Sequence, residues 1–527
     1  MLLLALPLSL GWHPVPTLGS LAEAVAVFGV ALLLALSGPP TSWNLRRLWL
    51  GTGGLLGLLL LRCLAQALLG DWAYAGFWLG PMVVLATAFL ICVYWPQRSG
   101  DWLRLVALAV LLAAFVNAVV GFLQYWRVSA VFDFLGPYLL YWDRSDGVAH
   151  GNVAQRNILA SLCLLGIAAS VYLLPRRGAP AVALAGFLAY VVALSASRTP
   201  WVIVLAVLLL ALLRERHWRA LGQPLVRWFV VPVLLAQLLA PGVNYFLFSL
   251  LDWVPIESSV ARLSAHGLGL RAVFYQLAAE LGLQAGVWGL GWKALPLAMV
   301  EQGFGQQLWG LDELPTHAHN ILLHLWVENG PLLALLASLY PIWLLFKKGL
   351  PGAGQDYARL SLVVLIVHSW LEYPLWQPAL FFLFVALMCT LELPEHESHS
   401  ASTPPRLMWR GLAGALALGA AVTALQFGVV ADLWTHRLEP RTDASASALA
   451  PLRLNPVTEP YADWLALNLN LDTPGQRVAR LERLAHWLPD AMMLGLLADG
   501  YRQVGRDDDA ERVEQRRLIV FGVRPQN

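Results

Sequence analysis

Pro315-Thr-His-Ala-His-Asn-Ile-Leu-Leu-His-Leu-Trp-Val-Glu-Asn-Gly330 opens an apolar run that continues to about Phe346. It sets imidazoles and a carboxamide, which are poor packing residues, where a polar loop meets a segment long enough to cross a bilayer. With a helix starting near His317, steps of three and four residues align His317, Asn320, His324 and Glu328 on one stripe, while His319 projects elsewhere from the first turn. Such a stripe needs protein or a water-filled cavity to face. The His-x-His pair reads as a metal site, as interfacial packing, or as catalytic and substrate-binding groups. Tetrahedral zinc needs a third and usually a fourth ligand, and neither Cys nor an obvious carboxylate stands beside the pair in the sequence. The third reading is carried forward.

Around this stretch the 527-residue chain is 58% hydrophobic and only 13% charged, with a mean hydropathy of +0.62. Apolar runs of about twenty residues recur along it. They predict an all-α polytopic integral membrane protein with about thirteen transmembrane helices, near 1–16, 19–37, 48–69, 76–95, 105–126, 153–174, 180–196, 200–213, 225–248, 318–346, 357–372, 376–393 and 407–430. The first run lacks a basic leader and a small-residue cleavage site, and reads as a retained helix. The net charge of +2 is spread in short basic clusters between apolar runs, which gives no footprint for nucleic acid. Cys63, Cys92, Cys163 and Cys389 lie in or beside apolar runs without metal spacing, and read as small core residues.

Lys and Arg in short loops set the orientation. Arg46/Arg47, Arg98/Arg104, Arg176/Arg177, Arg214/Arg216/Arg219, Lys347/Lys348 and Arg406/Arg410 fall at every second connection, which assigns those loops to the cytoplasm. The opposite face receives 127–152, the Ser197-Arg-Thr199 turn, 249–317, the Leu371-Glu-Tyr-Pro-Leu-Trp376 turn and everything after about 430. The expected organisation is thus helices over 1–248, an outer segment with interfacial helices over 249–317, further spans over 318–430, and a small α-helical domain over 431–527. In that last part, 494–513 reads as two amphipathic helices hinged at Gly505, with Gly495, Tyr501 and Ala510 where paired helices approach, as in one tetratricopeptide-type hairpin. It reads either as a platform for a protein partner or as a solubilising cap.

Four other stretches hold polar residues that membrane helices usually exclude. His150-Gly-Asn-Val-Ala-Gln-Arg-Asn157 brings an amide-rich turn into a span, and Arg156 is either an interfacial arginine or a functional one. Ser195-Ala-Ser-Arg-Thr-Pro200 interrupts two short apolar segments, and Arg198 on the outer side runs against the positive-inside trend, which favours a local anionic partner. Arg271 opens a helix on the membrane surface, as a snorkelling charge or a ligand-binding one. Glu372 and Tyr373 end a helix stopped by Pro374, where the carboxylate is suited to pair with an arginine. Outer arginines beside histidines suggest a lipid diphosphate headgroup and a proton transfer, since guanidinium forks match phosphate oxygens and helix N-termini add oriented donors. His319, expected in a first helical turn, sits near the positive dipole end, which favours a neutral imidazole able to act as a base.

Taken together, Gly151-Asn-Val-Ala-Gln-Arg-Asn157, Ser197-Arg-Thr199, Arg271 leading to Gly289-Leu-Gly-Trp292, His317-Ala-His-Asn320 with Glu328-Asn-Gly330, and Leu371-Glu-Tyr-Pro-Leu-Trp376 resemble the bacterial protein O-oligosaccharyltransferases of the PglL/TfpO type, within the O-antigen ligase and polymerase superfamily. The resemblance covers most of 150–393. It implies a ligase fold of the GT-C-like kind, without a cofactor, at the bacterial inner membrane with its site on the periplasmic face. It further implies transfer of a glycan from an undecaprenyl diphosphate carrier to a hydroxyl of an acceptor such as a pilin-like protein. By the same resemblance His319, Arg198 and Arg271 are catalytic, and Gln155 and Tyr373 join them in the protein-glycosylating branch. Arg156, His317, Asn320 and Glu372 complete the expected substrate-binding set. Arg156 stands where proline is commoner, and Pro200 where glycine is. A polymerase or a lipid A-core ligase would share the chemistry with another acceptor. A transporter would carry polar residues along both halves of a path and related repeats, and the sequence has neither pattern.

Overall fold

A computed structural model describes residues 1–13, 19–40, 45–70, 73–95, 99–128, 147–174, 178–213, 222–251, 253, 259, 270–302, 316–347, 352–392, 406–435, 443–469 and 472–522. Arg98, Arg176, Arg177, Arg214, Arg216, Arg219 and Lys348 of the orientation argument, and much of 249–317, lie outside the described residues.

Within them the secondary structure is helical throughout. The first part runs α1 (Leu2–Ser9), α2 (Ser20–Ser37), α3 (Leu45–Leu50), α4 (Thr52–Leu69), α5 (Gly76–Tyr94), α6 (Ser99–Tyr125), α7 (Arg156–Leu173), α8 (Ala179–Leu194), α9 (Thr199–Leu213) and α10 (Gly222–Leu250). The middle holds α11 (Leu270–Gln284), α12 (Leu295–Glu301), α13 (Ile321–Asn329), α14 (Pro331–Phe346), α15 (Ala353–Leu371), a 3₁₀ turn at Pro374–Trp376, α16 (Pro378–Glu392) and α17 (Arg406–Thr435). The end is α18 (Asp443–Arg453), α19 (Glu459–Asn468), α20 (Pro474–Trp487), α21 (Ala491–Gln503) and α22 (Asp507–Phe521). Seven of these helices are long and apolar enough to cross a membrane, and four shorter ones are apolar. This is the make-up of a polytopic membrane protein.

The hub is α7. Every residue from Ile158 to Val171 is buried, because α6, α8, α9, α10 and α15 all pack on it. Lipid tails are as apolar as leucine, so association of such helices relies on close contact between small residues. Gly166 supplies it: a Cβ there would stand 2.5 Å from Cβ of Ala114 on α6.

Two expectations are corrected. The run 318–346 is two helices, because Gly330 adopts φ +83 and Pro331 starts a new helix. The first of them starts at Ile321, with Asn320 as its cap, so neither His317 nor His319 is helical and the polar stripe shrinks to Asn320, His324 and Glu328. The break is filled by the Gly289-Leu-Gly-Trp292 loop, whose Leu290 and Gly291 N–H groups donate to the Val327 and Glu328 carbonyls at 2.8 and 2.9 Å. A Cβ on Gly330 would lie 1.9 Å from the Val287 carbonyl oxygen, and one on Gly289 2.5 Å from the Asn329 nitrogen. Both glycines are therefore required by backbone contact. Gln66 of α4 holds the loop in turn, accepting from Trp292 N–H at 2.7 Å and donating to its carbonyl.

The helical end of the chain is built as the sequence suggests, with α21 and α22 antiparallel about Gly505 and with Tyr501 and Ala510 buried between helices. It shares an apolar core with the middle of the chain: Leu481, Leu497 and Val520 belong to the same buried cluster as Phe274, Leu277 and Leu281 of α11 and Met299 of α12.

Candidate active site

The site forms where the N-terminus of α7, the turn before α9, the start of α11, the turn before α13 and the C-terminus of α15 meet. Its centre is Glu372, the residue that ends α15 and is 3% exposed. Its Oε1 accepts from Asn157 Nδ2 at 2.8 Å and pairs with Arg271. Its Oε2 accepts from His319 Nδ1 at 2.7 Å. Burial alone would raise the Glu372 carboxyl, but the hydrogen bond from His319 and the charge of Arg271 outweigh it and hold it below its ordinary value.

Each partner is placed by its own element. On α11, Arg271, Phe274 and Tyr275 are spaced three and four residues apart and share one face: Arg271 meets Glu372, Phe274 stacks on the His319 ring at 5.5 Å, and the Tyr275 hydroxyl donates to the His319 carbonyl at 3.1 Å. Asn157 stands in the first turn of α7, and its Oδ1 accepts from Ser197 Oγ at 2.7 Å, which ties in the turn carrying Arg198. The loop before α7 is pinned by amides of α6. Gln124 Oε1 accepts from the His150 and Gly151 N–H groups at 2.9 and 2.8 Å, and Asn117 Oδ1 from Val153 N–H at 3.0 Å.

Three of the turns that meet here hold a non-glycine residue in the left-handed region: Ala154 at φ 56, Ala196 at φ 49 and His319 at φ 52. Such residues cost of order 1–3 kcal/mol each and persist where surrounding contacts over-determine them. His319 is over-determined by Glu372, Phe274 and Tyr275.

Gln155, Arg156, Arg271, His319 and Glu372, with His150, Ala154, Asn157 and Phe274, line one open cleft of about 400 Å3. Arg271 and a bonded imidazole on one carboxylate, with Arg156 elsewhere in the lining, give it an anion-accepting rim with a proton-accepting group inside. Among the described residues no three His, Cys, Asp or Glu side chains are grouped to hold a metal ion.

Residues 182–338 match the family described as O-antigen ligase, 149–174 the protein glycosylation ligase, and 357–527 the C-terminal part of the virulence factor membrane-bound polymerase. Over these three segments the chain is similar to the O-antigen ligase and protein glycosylation ligase superfamily. No curated protein matches it. These families make the protein a glycan ligase, a transferase-type enzyme.

In the ligase, the remaining expected residues sit around the cleft. Gln155 caps α7 by accepting from Ile158 N–H at 3.0 Å. Asn320 accepts from Leu323 N–H at 3.1 Å and donates to the Trp370 carbonyl at 3.0 Å, which joins the start of α13 to the end of α15. His317 lies flat on Tyr373, ring centroids 4.1 Å apart, and Tyr373 meets His319 edge-on at 5.1 Å. Neither His317 nor Tyr373 is among the cleft-lining residues, nor is Arg198. Burial, then the charges of His324, His319 and Lys293, push His317 well below its ordinary value and keep it neutral. The dipole argument for His319 is replaced by a carboxylate partner, which fixes its Nδ1 as donor and leaves Nε2 as acceptor.

Sequence reasoning passed over Asn157, Phe274 and Tyr275 of the ligase. An amide opening an apolar helix and aromatics at helical spacing from Arg271 were the available signals. It also passed over His368, fully buried on α15 one turn before Glu372, with neither ring nitrogen hydrogen-bonded. That imidazole lies within electrostatic reach of Glu372 and Arg271.

Proposed function

We propose that this ligase moves a glycan from an undecaprenyl diphosphate carrier to a Ser or Thr hydroxyl of an acceptor protein, at the periplasmic face of the bacterial inner membrane. The observation that carries the reading is the Arg271–Glu372–His319 cluster, which sets a phosphate-matching guanidinium beside an oriented imidazole in an open cleft.

In this reading Arg271, with Arg198 and Arg156, holds the diphosphate. Glu372 orients both reacting partners, as the acidic member of a triad orients its histidine. His319 Nε2 takes the proton of the attacking hydroxyl, the hydroxyl oxygen bonds to sugar C1, and the C1–O bond breaks with its electron pair passing to the diphosphate. A single displacement inverts C1. The arginines stabilise the charge that grows on the leaving diphosphate. Gln155 and Tyr373 shape the entrance for donor and acceptor, and His317 supports Tyr373.

A protein acceptor is favoured over lipid A-core by the match of 149–174 to the protein glycosylation ligase family and by the helical end of the chain, which packs directly on α11. Co-expression with a lipid-linked glycan pathway and a pilin-like acceptor tests it by intact mass. A mass increase equal to the glycan on the pilin is the expected result. Glycan appearing only on lipid A-core, with the pilin unmodified, would replace this reading with an O-antigen ligase.

A further inference from the structure

Beneath the cleft lies a second polar pair to which the reaction above gives no task. His324 and Glu328 are one turn apart on α13, and their side chains are each 2% exposed. Both ring nitrogens of His324 have a neighbour. The Ala318 N–H donates to His324 Nδ1 at 3.4 Å, and His324 Nε2 lies 3.2 Å from Glu328 Oε2. Only the Nδ1 contact is a hydrogen bond; Nε2 and Oε2 face one another without one. Ala318 is the fully buried residue between His317 and His319. Its N–H precedes the left-handed His319 by one residue, and the edge of Trp376 closes over the His324 ring at 4.1 Å.

We propose that His324 is a positioning residue: through Nδ1 it holds the Ala318 N–H and so keeps the strained turn that aims His319 at Glu372. The physical case is that a left-handed non-glycine residue reverts unless its neighbours are fixed. Glu372, Phe274 and Tyr275 fix His319 from its C-terminal and ring sides. His324 is the side-chain contact that fixes the turn from beneath. Glu328 is itself held, because its backbone carbonyl accepts from Gly291 N–H at 2.9 Å. The Gly289-Leu-Gly-Trp292 loop thereby reaches the reacting imidazole through α13.

The inference rests on the glycan-transfer reading, and its test separates the two. Steady-state transfer is measured on purified full-length His324→Asn, His324→Gln and His324→Leu, each checked for its thermal midpoint in detergent. An Asn carbonyl occupies the Nδ1 position and a Gln carbonyl the Nε2 position. Expected is that His324→Asn keeps most of kcat. The Gln and Leu variants should lose kcat by about 10²-fold, the cost of misaiming a reacting group by about 1 Å, with the donor KM little changed. If His324→Asn is no better than His324→Gln, the contact with Ala318 is irrelevant and the inference is overturned. Where His324→Leu does not fold, the Asn and Gln variants alone decide, since both keep a polar side chain at 324, and equality between them overturns the inference. Should the wild-type protein transfer no glycan from any lipid-linked donor, the glycan-transfer reading itself falls.

Discussion

At the scale of single residues, His319 and Arg271 share Glu372 but have different tasks. His319→Ala should leave binding of the lipid-linked donor largely intact and cut transfer by about 10²–10⁴-fold, the contribution of a positioned acid or base. Arg271→Ala should weaken donor binding as well as turnover, because the arginine–phosphate contact precedes bond breaking, and Arg271→Lys should not restore it, since an ammonium keeps the charge and loses the fork. Donor-binding and single-turnover measurements on purified variants separate the two patterns. His317 gives a prediction of another kind. Its folded pKa is depressed below the ordinary 6.5, so as pH falls below about 6.5 the unfolded chain takes up a proton that the folded protein refuses, and stability drops with it. His317→Phe keeps a ring on Tyr373 and removes the titration. The slope of thermal midpoint against pH between about 6.5 and 5 should therefore be shallower in the variant, and an unchanged slope would assign the acid loss to other groups. The residues nominated from sequence alone, Arg271, His319 and Glu372 above all, do converge. What the sequence withheld was which contact each makes: that Glu372 is shared depends on α11, α15 and the turn before α13 coming together over separations of 53 and 101 residues, and no local pattern encodes such a meeting.

At the scale of elements, the break between α13 and α14 shows why the helix map was only partly legible. Apolar residues resume directly after Glu328-Asn-Gly-Pro331, and periodicity alone cannot tell one long helix from two successive ones. The signal was present in the glycine-proline pair, but its meaning depended on the Gly289-Leu-Gly-Trp292 loop that enters the break. The same loop makes the position intolerant. Gly330→Ala must hold a left-handed φ, at ~1–3 kcal/mol, and must also push the Val287 carbonyl away from the new Cβ. We expect a lowered thermal midpoint together with loss of transfer, because displacing the loop frees the carbonyl ends of α13. A variant with wild-type midpoint and activity would mean that the loop adapts without cost. Helix α7 was easier to read, since its amide-rich entry and apolar body stand side by side in sequence, and the helix begins within that motif.

At the scale of the whole molecule, the expected boundary at about residue 430 divides the chain by composition, and packing crosses that boundary. The four cysteines are all buried, so a single cysteine introduced at Asp508 on the acidic start of α22 reports its own side of the membrane. Under the proposed orientation a membrane-impermeant maleimide should label it from the periplasm of intact spheroplasts, and labelling only after lysis would reverse the topology and with it the mechanism. The shared core leads to a stronger expectation for truncation. A detachable cap or a docking platform could be removed with loss of solubility or of acceptor recognition alone, leaving donor binding unchanged. Here Leu481, Leu497 and Val520 bury the same cluster as Phe274, Leu277 and Leu281, and those last three lie on the helix that carries Arg271. Ending the chain after Thr435 uncovers that face of α11, so donor binding should fall along with transfer. Leu481→Ala, which removes a fully buried side chain at ~2–5 kcal/mol, should do the same in smaller measure, lowering the thermal midpoint and donor affinity together. Donor affinity is the measurement that decides: a truncated protein that binds the lipid-linked donor as tightly as the full chain would show that α11 stands without the C-terminal helices, and would restore them to a separate role.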